Sequence, residues 1–351
     1  HAWSAVAASL VTHIVLFGVI YSFGVFNAAY VSSGLGSSST VSLVGSTSTV
    51  FIPALGILSG RLANKFGYSR MAIVGSCVLG IGLLSASFAT NSLPLLILTQ
   101  GALFGIGSSF IYFPALSLPA QWFVKWRGVA TGIAVSGAGI GGMLFSLISN
   151  KLIDAVGLAW TLRTLAIVCT VLLLLVTPFF KPRVKAPNSN IDWSVVKDAR
   201  FVCLLFSCFF ANFGMFVSVD YLPLVAENLG FSPYQGASLA SIYNACSSVG
   251  RIATGIAADP LGATNAMMLA MWVSCISNFS WVAIRSFPGL CVFAIVNGFV
   301  GGAFWGLLPT VAAGMFGTDS RLVNILGMLY TSLAFGDFGS PPLTGFIKER
   351  F

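Results

Sequence analysis

The sequence predicts an all-α polytopic membrane protein assembled from two repeated halves, on three observations. Of its 351 residues 57% are apolar and 7% charged, where a soluble domain carries about 25% charged residues. Eleven apolar runs, each long enough to cross a bilayer, alternate with polar connections. A motif also recurs at a fixed distance: Gly60-x-x-Ala63-Asn64-x-x-Gly67 returns 195 residues later as Gly255-x-x-Ala258-Asp259-x-x-Gly262.

The runs fall at roughly 3–30, 41–62, 71–90, 94–119, 129–152, 162–180, 201–227, 235–257, 264–285, 288–315 and 322–347. They are too long, and too little alternating, for the strands of a membrane barrel. Helices satisfy their backbone groups internally, as hydrocarbon requires. Orientation follows from the basic residues of the connections. With the N-terminus inside, the inner connections hold eleven: Arg61, Lys65, Arg70, Lys125, Arg127, Lys181, Arg183, Lys185, Lys197, Arg200 and Arg321. The outer ones hold five: Lys151, Arg163, Arg285, Lys348 and Arg350. The net charge of +8 is therefore read as topology, and no nucleic-acid partner is expected. Cysteines placed at Ser37 and Ser189 are expected to react with an impermeant thiol reagent from outside and inside respectively; the reverse pattern would overturn the orientation.

The most polar stretch, 181–200, reads KPRVKAPNSNIDWSVVKDAR and has a linker's composition. It separates residues 1–180, an N-terminal half of six helices, from residues 201–351, a C-terminal half with five. The 195-residue offset also carries Gly107 onto Gly302 and Pro114 onto Pro309. A parallel repeat of this kind is a transporter architecture. Symmetry asks for one more helix after Phe351, so the chain, which opens on His1, is expected to be an excerpt of a longer protein.

Composition and motifs exclude much chemistry. There are two histidines, and no metal-ligand, nucleophile-elbow or nucleotide-binding pattern, so the chain is not expected to be an enzyme or to carry a cofactor or metal. The seven cysteines sit in apolar runs without CxxC spacing and read as small core residues. Gly137-Ala138-Gly139-Ile140-Gly141-Gly142 lacks a βαβ context and reads as a close helix–helix contact.

Arg251 leads the functional candidates. It stands about 16 residues, or roughly 24 Å, into its helix, past the membrane midplane. A charge at such depth is costly and calls for a polar cavity or a partner. Its planar fork suits a carboxylate; a structural ion pair or snorkelling to the inner interface is the alternative. Asp337 and Asp220 are the acidic groups inside apolar runs, each a candidate for pairing with Arg251 or for accepting a coupling proton, with Asp337 the better partner by depth. Tyr21, Asn27, Tyr112, Asn244, Asn297 and Trp305 are polar or aromatic groups suited to a cavity wall, with helix–helix hydrogen bonding an equal account of each Asn. His13, without an acidic neighbour in its run, reads as packed rather than functional.

Several of these residues carry a resemblance. Gly60-Arg61-Leu62-Ala63-Asn64-Lys65-Phe66-Gly67-Tyr68-Ser69-Arg70 resembles the G-x-x-x-D-R/K-x-G-R-R/K loop of the major facilitator superfamily, with Asn64 at the acidic position. The resemblance implies the major facilitator fold, here with its last helix absent. It also makes Gly60, Asn64, Lys65, Gly67, Arg70, Gly255, Asp259 and Gly262 candidates for the gating loops, with Gly67 and Gly262 in equivalent tight turns. Within the superfamily the chain is similar to the monocarboxylate transporter family, especially its fungal branch. The matching stretches are 21–26 (YSFGVF), 122–132 (WFVKWRGVATG), 160–163 (WTLR), Gly250-Arg251 and 339–345 (GSPPLTG). Where proton-coupled animal members carry a helix 1 Lys and a helix 8 Asp, this chain has Val25 and Ser247.

The expectation is a secondary transporter, working by alternating access on a small monocarboxylate-like solute, with protons as a candidate coupling ion in symport. A carrier of a larger neutral or planar metabolite, such as a vitamin or secondary metabolite, is the alternative, and a non-transporting nutrient sensor is a third reading. The expected partners are that solute and the lipid bilayer, with the plasma membrane as location and an internal membrane as the alternative.

Overall fold

The computed structural model describes residues 1–183, 193–318 and 321–334; side chains at 212–221, 224, 227, 233 and 237 lie outside the described set. Among the described residues the regular structure is entirely helical. Among the described residues each of the eleven predicted runs is occupied by helix, the eleventh over 322–334, and three are interrupted. The first is α1 (Ala2–Tyr21) and α2 (Phe23–Ser32), parted at Ser22, whose Oγ donates to the Val19 carbonyl at 3.0 Å. The second is α3 (Ser38–Ala54) and α4 (Gly56–Phe66), bent by 53° after Pro53, which has no amide hydrogen to continue the ladder. The fourth is α6 (Leu93–Leu96), a π-helical stretch (Ile97–Leu103) and α7 (Phe104–Trp122).

The remaining runs are α5 (Tyr68–Ala86), α8 (Arg127–Val156), α9 (Leu158–Val176), α10 (Ala199–Asn228), α11 (Pro233–Leu261), α12 (Ala263–Trp281), α13 (Phe287–Phe316) and α14 (Leu322–Ala334). Six spans among the described residues are long and apolar enough to cross a membrane, and the bent α3–α4 pair makes a seventh. α11 falls short because it carries Gln235, Asn244, Arg251 and Asp259. α10 and α14 contribute shorter apolar helical stretches, Ala199–Ala211 and Leu322–Ala334.

Glycine sets how closely the helices approach, since lipid leaves packing rather than hydrophobicity to hold them. α8 packs on α1 through Gly137, against the Leu10 carbonyl, and Gly141, against Ile14, as the glycine-rich run predicts. Gly107 meets the backbone of α5 at Gly75 and Leu79, and Gly302 meets that of α11 at Ser247. Two seams join residues of 1–180 to residues of 201–334. In one, Gly128 of α8 and Gly255 of α11 lie so close that a Cβ on either would strike the other's carbonyl oxygen. Gly132 against the Arg251 carbonyl and Gly139 against Asn244 continue it. In the other, Gly56 of α4 faces Gly327 of α14, Gly60 faces Val323 and Asn324, and Thr331 Oγ1 donates to the Pro53 carbonyl at 3.0 Å.

Candidate functional site

Between these seams lies a cavity of about 410 Å³, walled by α1, α2, α3, α7, α8, α11, α13 and α14. Rings from four of those helices form a continuous arc. Tyr21 and Phe17 are 5.6 Å apart, Phe17 and Tyr112 5.6 Å, Tyr112 and Tyr330 5.7 Å, and Tyr330 and Trp305 5.9 Å between centroids. Most neighbours meet tilted or edge-on, the favourable arrangement for π faces, so the arc is firm and leaves faces on which a flat solute can lie.

Arg251 completes the wall from α11. The residue is 4% exposed, and one terminal nitrogen donates to the Val135 carbonyl of α8 at 2.9 Å. Its Nε is buried and has no hydrogen-bond partner, and among the described residues no carboxylate bonds to the guanidinium. A buried cation with an unused donor edge is costly unless an anion meets it. The cavity is where such an anion can enter. Asn244 and Ser247, two turns and one turn earlier on α11, line the same space, while α3 contributes the hydroxyls of Ser42, Ser46 and Thr49. The position at which the resemblance would place an Asp thus faces the cavity as Ser247.

The structure brings together five predicted residues: Arg251, Tyr21, Tyr112, Asn244 and Trp305. Two others lie elsewhere, and helix–helix bonding accounts for both. Asn27 donates to the Ser38 carbonyl at 3.3 Å and accepts from Ser38 Oγ at 3.2 Å, tying α2 to α3. Asn297 accepts from Ser274 Oγ at 2.8 Å and donates to Asn278 at 3.2 Å, tying α13 to α12. Asp337 falls outside the described residues, and for Asp220 only the backbone, within α10, is described. Tyr330 and Phe17 are cavity residues that the sequence reading passed over. Tyr330 carried the same signal as Tyr112, a lone hydroxylated ring in an apolar run.

The gating-loop candidates occupy the ends of the two seams. Gly67, between α4 and α5, and Gly262, between α11 and α12, have φ of +95° and +86°, where a side chain is strained. Lys65 lies over the Phe66 ring at 5.2 Å, and Lys65, Asn64 and Arg70 border a cleft beside Trp122 and Lys181. Asp259 reaches across from α11 to the start of α8. Its two oxygens accept from the Gly128 and Val129 amides at 2.9 and 3.3 Å. Those amides have no partner within α8, and a carboxylate there is favoured by both hydrogen bonding and the helix dipole.

A helical membrane bundle with a half-polar cavity between two glycine seams defines a carrier of small solutes. The chain belongs to the Major Facilitator Superfamily, which it matches over residues 9–271; it is a membrane transporter and not an enzyme. It is similar to the MFS-type transporter opdF of Penicillium oxalicum, at 33% identity over 99% of this chain and 83% of that one. It is also similar to a fujikurins efflux protein of Gibberella fujikuroi, at 31% identity over 99% and 76%. Its fold matches the transporter FucP in the outward conformation, with a TM-score of 0.79 at 13% identity over 98% of this chain and 92% of that one.

Proposed function

We propose that this protein exports a planar, anionic small molecule by alternating access, residues 1–180 and 201–351 rocking as two halves about the cavity. The observation that carries the reading is the cavity itself: an arc of five rings beside a buried guanidinium with a free edge. Its volume lies in the range of pockets for drug-sized ligands and exceeds what a short monocarboxylate fills. That favours the larger planar metabolite over the small monocarboxylate, while Arg251 keeps an acid group in the solute. The efflux named for the Gibberella relative supports the outward direction, and export calls for the plasma membrane. The close approach of Gly128 and Gly255 shuts the seam between α8 and α11 at the end that the charge rule places inside, the arrangement expected of a carrier closed toward the cytoplasm.

Counterflow in proteoliposomes tests the reading with a panel of planar aromatic acids, their methyl esters, and lactate. An aromatic acid should exchange, its ester should exchange at least about tenfold more slowly for want of the charge-assisted bond, and lactate should not exchange. Exchange of lactate alone, or equal exchange of acid and ester, would overturn it.

A further inference from the structure

His13 is one of two histidines in the chain and the one inside a membrane helix. It is fully buried, and its Nδ1 lies 2.8 Å from the Ser9 carbonyl oxygen. A carbonyl only accepts, so Nδ1 holds the hydrogen and the neutral ring keeps its lone pair on Nε2. Nε2 is buried and has no partner. A purely packed ring would not need this basic nitrogen, since an aromatic hydrocarbon would fill the space without an orphaned polar atom. The ring stacks on Phe17 at 6.0 Å and meets Tyr112 edge-on at 5.5 Å, and both of these line the cavity. His13 therefore stands directly behind the cavity's aromatic wall.

Arg251 approaches the same stretch of α8 from the other side. It donates to the Val135 carbonyl, while Gly137, two residues on, lies against His13 Cβ. On the elements packed against α1, the titratable group touching the ring is Tyr112 of α7. Cys169 is buried in α9 and Tyr30 in α2, Arg163 is held by Ser87 at the start of α9, and Arg127, Lys151 and Asp154 stand at the two ends of α8. The stretch of α3 carries no titratable side chain.

We propose that His13 Nε2 is a proton-binding site of the transport cycle whose proton affinity is set by the charge at Arg251. A proton from cavity water adds to the Nε2 lone pair, giving an imidazolium with both nitrogens protonated, and returns to water after the halves rock. An unoccupied Arg251 repels that imidazolium, and an anion on the guanidinium cancels the repulsion. Proton and anion then bind cooperatively, each raising the other's affinity by the same factor. Because His13 moves with residues 1–180 and Arg251 with residues 201–351, rocking changes the coupling. The anion half of this scheme rests on the function proposed above.

The test follows one imidazole. Full-length protein carrying His1→Gln and ¹⁵N-labelled histidine is placed in lipid nanodiscs and followed by NMR between about pH 3 and 8. The neutral ring should carry its hydrogen on Nδ1. Arg251→Gln should raise its proton affinity by about tenfold or more, and Arg251→Lys, which keeps the charge, should leave it within about twofold. Naphthalene-2-sulfonate, planar and permanently anionic, should raise the wild-type affinity as Arg251→Gln does. A neutral ring protonated on Nε2, or one titrating alike in wild type and Arg251→Gln, would overturn the proposal. A rise with Arg251→Gln but none with the sulfonate would sustain the proton site and sink the anionic-solute reading instead.

Discussion

Gly255→Val should abolish transport and leave the protein unable to close between α8 and α11. A Cβ at this position meets the Gly128 carbonyl, which is backbone and cannot swing aside as a side chain would. Overpacking typically costs about 1–3 kcal/mol, and the substitution also pulls Asp259 away from the α8 amides, a cap worth about 0.5–2 kcal/mol. Together they bias the equilibrium between the two states by on the order of 3 kcal/mol, roughly a hundredfold in population. Spin labels on Lys125 and Leu261, both exposed beside this seam, report the separation of its ends. Gly255→Val should lengthen their mean distance and stop counterflow, while Asp259→Asn, which keeps one acceptor, should shift it partway. A short distance with normal counterflow in Gly255→Val would show that the seam does not gate.

The seam and the cavity differ in how far the sequence disclosed them. The 195-residue repeat pointed to Gly255, Asp259 and Gly262 because glycine and a short acid leave a trace in any alignment of one half on the other. What Asp259 grips was not legible, because the Gly128 and Val129 amides belong to a helix 130 residues away and carry no side-chain signal. Tyr21, Tyr112, Asn244, Trp305 and Arg251 were legible as polar or aromatic interruptions of apolar runs, and the cavity gathers them. Asn27 and Asn297 give the same interruption yet bond to neighbouring helices, since period alone does not say which face of a membrane helix meets a neighbour and which a cavity. The breaks at Ser22 and within the π-helical stretch contain no proline to betray them, and the 53° bend after Pro53 fell inside a run read as continuous over 41–62.

Arg251 is where the expected loss of function falls on the solute site itself. The guanidinium is buried with one donor spent on the Val135 carbonyl and Nε unused, an arrangement that stability alone does not favour. Arg251→Met should therefore leave thermal stability equal to or above wild type, while exchange of an aromatic acid falls at least about a hundredfold, the two hydrogen bonds to a charged group being worth about 3 kcal/mol or more. Arg251→Lys keeps the charge without the fork, so exchange should fall by an intermediate factor. The structural alternative, an ion pair with Asp337, makes the opposite forecast. Removing either partner would strand a buried charge at about 3–5 kcal/mol and reduce expression, and Arg251→Met with Asp337→Leu would restore it. Size-exclusion profiles and melting temperatures of the two single variants and the double, measured beside counterflow, separate the cases. A stable Arg251→Met protein that still exchanges aromatic acids at the wild-type rate would remove the guanidinium from the solute site altogether.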